Sequence, residues 1–289
     1  MRFLLSNDDS IYSKGILALI DAVHEYNIFQ KNTLRLSDFI EGTLNKNTVN
    51  QNSNISISSK QKELTKELIV VAPELEQSAK SHSFTLREPL LIKRVPYHLS
   101  CGQIQERISL TGTPADSVYF AAVSMGPFDW VISGINHGSN LGSDVHYSGT
   151  VAAAREAALR GIPAIAVSLH PFEGGAWDFR RAATYAVELL FNLPLPPKGS
   201  FYNLNIPDLP PERELLLRLA NVGHRFYESQ VDVRKSPSGS EYCWIGGPPN
   251  EYRHEGDSDV PLCEQGYATL SLIKLDCTDY EGMEHLKNL

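Results

Sequence analysis

The chain has 289 residues, of which 42% are hydrophobic and 21% are charged, and its formal net charge is -8. This composition is typical of a globular protein with a full hydrophobic core. The acidic balance argues against a nucleic acid polymer as the partner, because phosphate backbones are bound by clustered Lys and Arg. It still allows a small phosphorylated ligand, which needs only one local pocket.

The four cysteines show neither C-x-x-C spacing nor a paired Cys/His pattern, so we do not expect a zinc ribbon or a redox motif. We expect them to be reduced thiols. The beginning of the chain lacks the pattern of a signal peptide, and no run of 18 apolar residues predicts a membrane span. We therefore expect a cytoplasmic protein that does not bind membranes.

Alternating patterns along the chain predict the secondary structure. Apolar, largely β-branched runs predict strands over residues 2–7, 69–73, 129–136, 162–169 and 201–207. Apolar residues at helical spacing predict helices over residues 14–26, 114–126, 150–161 and 178–193. Continuous apolar strands alternating with amphipathic helices indicate an α/β fold, Rossmann-like, with a mostly parallel sheet and helices on both faces.

Two segments depart from this alternation. Residues 44–62 are dominated by Asn, Ser, Gln and Lys, which predicts a polar surface insertion within about 28–67, with a functional cap as the alternative. Residues 223–266 contain an alternating pattern around a Pro-Ser-Gly-Ser turn, which suggests a protruding β-hairpin. We expect a single domain over 1–289, with a core of about 1–222 and a hairpin and oligomerisation region of about 223–289.

Polar residues follow three of the predicted strands. The first strand ends in SNDD, which contains Asp8 and Asp9, the second is followed by Ser78, and the third ends near Asn136. Ligands of open parallel sheets bind outside the carboxyl ends of the strands, so these four side chains should converge. Carboxylate, hydroxyl and amide oxygens suit a hard cation, Mg²⁺ or Mn²⁺. The competing interpretations are an N-cap for Asp8 and Asp9 and ordinary loop positions for Ser78 and Asn136.

The segment GINHGSNLGSDVHYSGT follows the third of these strands and leads into a helix. Ser148, Gly149 and Thr150 lie where free backbone N–H groups favour an anion, so they predict a phosphate cradle, although a simple capped helix is the alternative. His137 and His146 could donate or accept protons. In TGTPAD, Thr113 and Asp116 could support the site, but capping of the next helix is the better interpretation of Asp116. The remaining predicted substrate-binding residues are Asn7, Ser133, Gly134 and Asn140.

Four motifs together resemble one known family. NDD after the first strand, VVAPELEQSAKSHSFT, GTPAD and SGINHGSNLGSDVHYSGTVAAAREAALRGIPAIAVS are similar to the SurE-type survival proteins, which are metal-dependent nucleoside monophosphate phosphatases. The resemblance covers about residues 1–27, 68–92 and 108–170. It departs from the family at Ser10 and at Ala79, where the family usually has Gly. A positive φ at Ser10 would cost about 1 kcal/mol.

The resemblance implies a Rossmann-like core and one divalent metal per subunit, held by Asp8, Asp9, Ser78 and Asn136. It implies nucleoside 5′- and 3′-monophosphates as substrates, short polyphosphate in some members, and a homodimer or homotetramer built with the C-terminal region. We expect phosphomonoester hydrolysis of the 5′-nucleotidase or acid phosphatase type, with Asp8, Asp9 and Asn136 as the catalytic residues. The metal would activate a water, while Asn136 and the amides near Ser148–Thr150 would stabilise phosphoryl charge.

Three other interpretations stay open from the residues. Asp8 could be a covalent nucleophile, although such phosphatases typically separate the two aspartates by one residue. Gly134, Gly138 and Gly142 could suggest a dinucleotide-dependent reductase, but that fingerprint normally follows the first strand. A non-catalytic nucleotide sensor would keep the pocket without turnover.

Overall fold

The computed structural model describes residues 1–26, 67–247, 249–252 and 256–287, and the predicted polar insertion lies outside them. The strands are β1 (Arg2–Ser6), β2 (Glu67–Pro73), β3 (Ile92–His98), β4 (Ile104–Leu110), β5 (Trp130–His137), β6 (Ala164–His170), β7 (Ser200–Pro207), β8 (Leu217–Leu219), β9 (Arg225–Tyr227), β10 (Gln230–Lys235), β11 (Glu241–Gly246), β12 (Pro249–Tyr252) and β13 (Ala268–Lys274). The helices are α1 (Lys14–Tyr26), α2 (Pro114–Met125), α3 (Gly149–Leu159), α4 (Phe179–Asn192), α5 (Asp259–Glu264) and α6 (Tyr280–Lys287), with a 3₁₀ turn at Gly142–His146.

Nine strands form one sheet in the order β3-β4-β2-β1-β5-β6-β7-β13-β8. The six strands from β4 to β7 in that order are mutually parallel, whereas β3 runs antiparallel to β4 and β13 runs antiparallel to β7. The predicted mostly parallel α/β sheet is therefore confirmed. Because β1 lies between β2 and β5, the chain leaves β1 toward one side of the sheet and returns on the other, which creates a crevice at its carboxyl end.

Helices cover both faces of the sheet, and β1 contributes to both layers. Phe3 and Leu5 pack in the core cluster formed with α1 and α4, whereas Leu4 packs in the cluster formed with α2 and α3. All three side chains are buried. Burial on both faces explains why β1 is a continuous apolar run without polar alternation.

The predicted strands and helices are present, with ends that differ by no more than two residues from those expected. Strands β3, β4, β8, β9, β12 and β13 were not predicted. Strand β3, with the sequence IKRVPYH, forms the edge of the sheet and is largely exposed. Its charged residues and Pro96 interrupt the apolar alternation that would predict a strand. In β4 only the second half is buried. An edge strand is thus hidden from pattern analysis because its stabilising contacts are backbone pairs with a neighbour.

The predicted hairpin is present as β10 and β11, which pair antiparallel around a turn at Ser236–Ser240. Its side chains are almost all exposed, including Trp244 and Ile245. Strand β9, which precedes it, pairs with β12. In the described part of the chain, no helix has the length and apolar character that crossing a bilayer requires.

Candidate active site

The site lies where the loops after β1, β2 and β5 meet at the carboxyl edge of the sheet. A cavity of about 700 Å³ opens there, and Asp8, Ser78 and Asn136 are among the residues that line it. The other lining residues are Ala79, His137, Ser139, Asn140, Ser143, Asp144, Tyr147, Ser148, Arg225, Phe226 and Tyr227. Parallel pairing of the three strands brings together side chains that are far apart in the sequence.

Asp8 is the buried carboxylate of the site, with 3% of its surface exposed. Its Oδ1 accepts a hydrogen bond from the Thr150 hydroxyl. Burial, reinforced by the neighbouring charge of Asp9, raises the pKa of Asp8 to about 7, although the bonds from Thr150 oppose the rise. A Cβ at Gly149 would lie 2.8 Å from the Asp8 Cβ, so only glycine permits this approach of α3.

Asp9 follows Asp8 in the loop and is not among the residues that line the cavity. Its Oδ2 accepts a hydrogen bond of 2.8 Å from the backbone N–H of His137. Burial is the main cause that raises its pKa, and the charge of Glu76 adds to the effect. The two adjacent carboxylates thus occupy an environment that favours a nearby positive charge.

Ser78 and Asn136 supply the remaining predicted oxygen donors. The Ser78 hydroxyl is exposed and donates to Glu76 at 2.7 Å. The Asn136 amide nitrogen donates to the carbonyl of Gly138 at 2.8 Å, which leaves the amide oxygen as the acceptor facing other groups. Asn136 follows a β-bulge between Ser133 and itself. Without the extra residue Ile135 would pair with Ser168, so the bulge places Asn136 at that position of the register.

The bulge in β5 accounts for the placement of two other predicted residues. Gly134 has φ +139°, and a Cβ there would lie 2.3 Å from the carbonyl oxygen of Val167. Ser133 pairs with Ser6 and Ala166 inside the sheet and is fully buried. Neither residue lines the cavity. Gly134 therefore shapes the strand, and the predicted substrate contact of Ser133 has no support from this geometry.

Asn7 and Asn140 hold the loops of the site. Asn7 donates to the Ser10 carbonyl at 2.8 Å and to the Ser13 hydroxyl at 2.7 Å, so it orders the turn after Asp8 and Asp9. Asn140 lines the cavity, but its side-chain nitrogen is bonded to the Ser168 hydroxyl at 2.7 Å. Both side chains were predicted to bind substrate, and these bonds show that they also order the protein around the site.

The start of α3 differs from a free phosphate cradle. The Ser148 hydroxyl caps the helix by accepting from the Val151 N–H at 3.1 Å. The backbone N–H and the hydroxyl of Thr150 both bond to Asp8, so the helix N-terminus already faces a carboxylate. Ser148 still lines the cavity.

The interpretation of Asp8 and Asp9 as caps of the first helix is wrong, because α1 begins only at Lys14.

Asp116 caps α2, as the capping interpretation expected. It forms a capping box with Thr113 and also accepts from the Thr85 N–H at 3.1 Å, which fixes the segment after Ser78.

The two positions where the family usually has Gly both have positive φ here, +88° at Ser10 and +56° at Ala79. The loops therefore keep a glycine-like backbone at the cost of strain in a residue that carries a Cβ.

Sequence reasoning missed the wall of the cavity that β9 contributes. Arg225 forms an ion pair with Asp144 at 2.8 Å, and the Tyr227 hydroxyl donates to the same carboxylate at 2.7 Å. Both residues lie more than 80 positions from Asp144 in a segment predicted only as a hairpin. Their alternating basic and aromatic character is the only local signal, and it does not identify a partner.

Comparison with known proteins agrees with these features. The family model described as Survival protein SurE matches residues 48–229. A 5′-nucleotidase SurE of Symbiobacterium thermophilum is 41% identical over 225 residues, which cover 76% of this chain and 86% of the relative. A 5′-nucleotidase SurE of Citrifermentans bemidjiense is 34% identical and covers 100% of this chain and 98% of its own.

A solved structure resembles the whole chain. The crystal structure of the SurE protein from Aquifex aeolicus superposes with a TM-score of 0.71 at 28% sequence identity, covering 100% of this chain and 99% of that chain. The similarity to a solved SurE structure therefore covers the whole chain and is not confined to the four motifs.

Proposed function

This chain belongs to the survival protein SurE family, and we propose that it is a metal-dependent 5′-nucleotidase that hydrolyses nucleoside monophosphates to nucleoside and phosphate. The observation that carries the proposal is the position of Asp8. Its buried carboxylate adjoins that of Asp9 and shares one cavity with Ser78 and Asn136. Nucleoside 3′-monophosphates and short polyphosphate are further candidate substrates of the same site.

The donor set fits a hard divalent cation, and we propose Mg²⁺ or Mn²⁺, one per subunit. The donors would be the carboxylates of Asp8 and Asp9, the Ser78 hydroxyl and the Asn136 amide oxygen. Burial raises the pKa of both aspartates although contacts from Thr150 and His137 oppose the rise, and a nearby cation would favour their charged forms. Among the described residues, no group of three or more His, Cys, Asp or Glu side chains is suited to hold a metal.

A bound cation would supply Lewis acidity for the phosphoryl oxygens and a water of lowered pKa. The chain's own residues orient the reaction. Asn136 and Ser148 line the cavity and are available to phosphoryl oxygens, whereas the donors of Thr150 are occupied by Asp8. In this proposal Thr150 stabilises the carboxylate of Asp8. Asn136 and Ser148, and not the amide of Thr150, would then contact the phosphate.

The proposal is tested with a panel of nucleotides and metals. Purified protein is stripped with EDTA, reloaded with Mg²⁺ or Mn²⁺, and assayed for phosphate release from AMP, GMP and 3′-AMP. We expect release only in the presence of the metal. Full activity in excess EDTA would contradict the proposal, and tight nucleotide binding without turnover would indicate a sensor.

The reductase alternative has less support. Gly134 lies inside the β5 bulge and Gly142 begins the 3₁₀ turn after β5, whereas a dinucleotide fingerprint follows the first strand of the sheet. Binding of NADH or NADPH in the same panel would revive it.

We also propose that the chain works in the cytoplasm as a homodimer or homotetramer assembled through the C-terminal region. The support is a set of exposed apolar side chains on both faces of the hairpin and on α6. Trp244 and Ile245 are 67% and 84% exposed, and Tyr280, Met283 and Leu286 follow each other at helical spacing on a helix without buried residues. Apolar surface of this kind is typical of protein contacts. The domain division, with a core of about 1–222, is part of the same proposal.

A further inference from the structure

A cluster of three aromatic rings adjoins the two aspartates. The His137 imidazole stacks on the Trp177 indole, with ring centroids 3.8 Å apart and an interplanar angle of 21°. The ring centroid of Phe179, at the beginning of α4, lies 6.0 Å from that of His137 and 6.3 Å from that of Trp177. Of these rings, His137 belongs to the cavity that also contains Asp8. The cluster therefore supports one face of a side chain that lines the site.

The backbone at Trp177 is held in an unfavourable conformation. Its φ is +56°, in the left-handed region that costs a residue with a Cβ about 1–2 kcal/mol. Asp208, which is 5% exposed, keeps it there by accepting from the backbone N–H groups of both Trp177 and Asp178. Strained residues of this kind persist where the surrounding structure determines them, and they concentrate at functional sites.

The main chain and the side chain of His137 have separate contacts. The backbone N–H donates a hydrogen bond of 2.8 Å to Asp9 Oδ2, whereas the imidazole acts on that carboxylate only through its charge. Within the described ranges, the ring nitrogens have no hydrogen-bond partner of their own. A stacked imidazole with free nitrogens at the cavity wall is suited to donate a hydrogen bond to an anionic ligand.

We propose that His137 contacts the substrate by donating a hydrogen bond to a phosphoryl oxygen, and that Trp177 and Asp208 position its ring. The inference rests on the proposed function, because it names a contact to the same phosphate. His137 is the residue that touches substrate, whereas Trp177 and Asp208 act only through it. The stack limits rotation of the imidazole, so less entropy is lost when the hydrogen bond forms.

The test combines binding and kinetics in His137→Ala, Trp177→Ala, the double variant and Trp177→Phe. Calorimetry measures the binding of Mn²⁺ and then of inorganic phosphate to the manganese-loaded protein, and kcat/KM is measured for AMP. We expect His137→Ala to lower kcat/KM by about 10- to 100-fold, as for a lost hydrogen bond to a charged group, and to weaken phosphate binding similarly. Manganese affinity should stay near that of the wild type, because the backbone contact to Asp9 remains.

Coupling between the two residues distinguishes positioning from a merely structural role. We expect Trp177→Ala to lower kcat/KM less than His137→Ala does. The double variant should lower kcat/KM no more than His137→Ala alone, and Trp177→Phe should keep most of the wild-type activity. His98→Ala, which removes an exposed imidazole at the end of β3, is the matched control. Full addition of the two losses, or wild-type phosphate binding and kcat/KM in His137→Ala, would overturn the inference.

Failure of the proposed function has a different signature. If the wild-type protein bound manganese and phosphate but released no phosphate from any nucleotide, the nucleotidase would be rejected. The phosphate affinity of His137→Ala would then still decide whether this contact exists. If the wild-type protein bound neither manganese nor phosphate, both the proposed function and the His137 contact would be rejected.

Discussion

The Thr150 hydroxyl donates a hydrogen bond to the Asp8 carboxylate across 142 positions of sequence. This bond joins the loop after β1 to the first turn of α3, and the backbone N–H of Thr150 adds a second contact. The helix N-terminus thus stabilises the charged form of an aspartate that burial would otherwise keep protonated. The following predictions concern this carboxylate, its neighbours and the assembly of the chain.

The first prediction concerns the two aspartates themselves. Asp8→Asn and Asp9→Asn should each lower metal-dependent phosphate release from AMP by at least about 100-fold, because each removes a charged donor from the proposed cation. Circular dichroism should show an unchanged fold. Ser6→Ala, which alters a buried hydroxyl of β1 outside the donor set, is a control for local packing. Near-wild-type turnover in both aspartate variants would remove the basis of the metal proposal.

Thr150 provides a test of how Asp8 is tuned. Thr150→Val removes the hydroxyl that lowers the pKa of Asp8, so the carboxylate should become harder to ionise. Outer-shell partners of this kind typically change metal affinity by about 10- to 100-fold. We expect weaker Mn²⁺ binding at pH 6.5, measured by electron paramagnetic resonance, and a smaller loss at pH 8.5. Thr150→Ser keeps the donor and should behave as the wild type; equal weakening in both variants would argue for a packing effect.

The stability of the metal-free protein should depend on pH through Asp8. Its folded-state pKa of about 7 lies above the unfolded value, so the folded state binds the extra proton and stability is lost as pH rises. The change due to Asp8 should be about 3 kcal/mol between pH 4 and pH 7, with Asp9 contributing in the same direction. Urea unfolding in EDTA measures it.

Two comparisons isolate this effect. Asp8→Asn should flatten the decline, because the amide does not titrate. Saturating Mn²⁺ should offset the decline in the wild type, since an ion that binds only the folded state stabilises it. A wild-type stability that rises over the same interval would contradict the assigned role of Asp8.

Ser10 carries measurable strain. With φ at +88°, Ser10→Gly should stabilise the protein by about 0.5–1 kcal/mol, because relief of the left-handed conformation outweighs the entropy gained by the unfolded chain. Ala79→Gly, at φ +56°, should act similarly. Thermal unfolding of both variants measures the change, and Ala22→Gly in α1 should destabilise the protein and so serves as the opposite control. A loss of stability in Ser10→Gly would show that its side chain compensates the strain.

The hairpin surface can be tested by charge. Trp244→Asp combined with Ile245→Asp should reduce the proposed dimer or tetramer to smaller species in light scattering, because charged residues are unfavourable in an apolar contact. Val123→Asp, an exposed apolar position of α2 outside the hairpin, is the control. An unchanged molar mass in the hairpin variant would place the subunit contact elsewhere.

Much of the fold and the donor set is encoded locally in the sequence. The buried strands of the parallel sheet are continuous apolar runs, and Asp8, Ser78 and Asn136 could be assigned to one edge because parallel strands end together. Position after a strand is sufficient to predict proximity. It does not predict how deeply a side chain is buried, and so Ser133, which is fully buried, and Asn136, which lines the cavity, were treated alike.

The contacts that give the site its chemistry depend on tertiary structure alone. Burial sets the pKa of Asp8, the pairing of Arg225 with Asp144 closes one wall, and the stacking of Trp177 on His137 supports another. Each contact joins segments 40 or more residues apart, and desolvation depends on everything packed around a group. Local sequence therefore determined the strands, the helices and the residue types of this protein, whereas only the folded chain decided their partners, because burial and long-range pairing are properties of the packed whole.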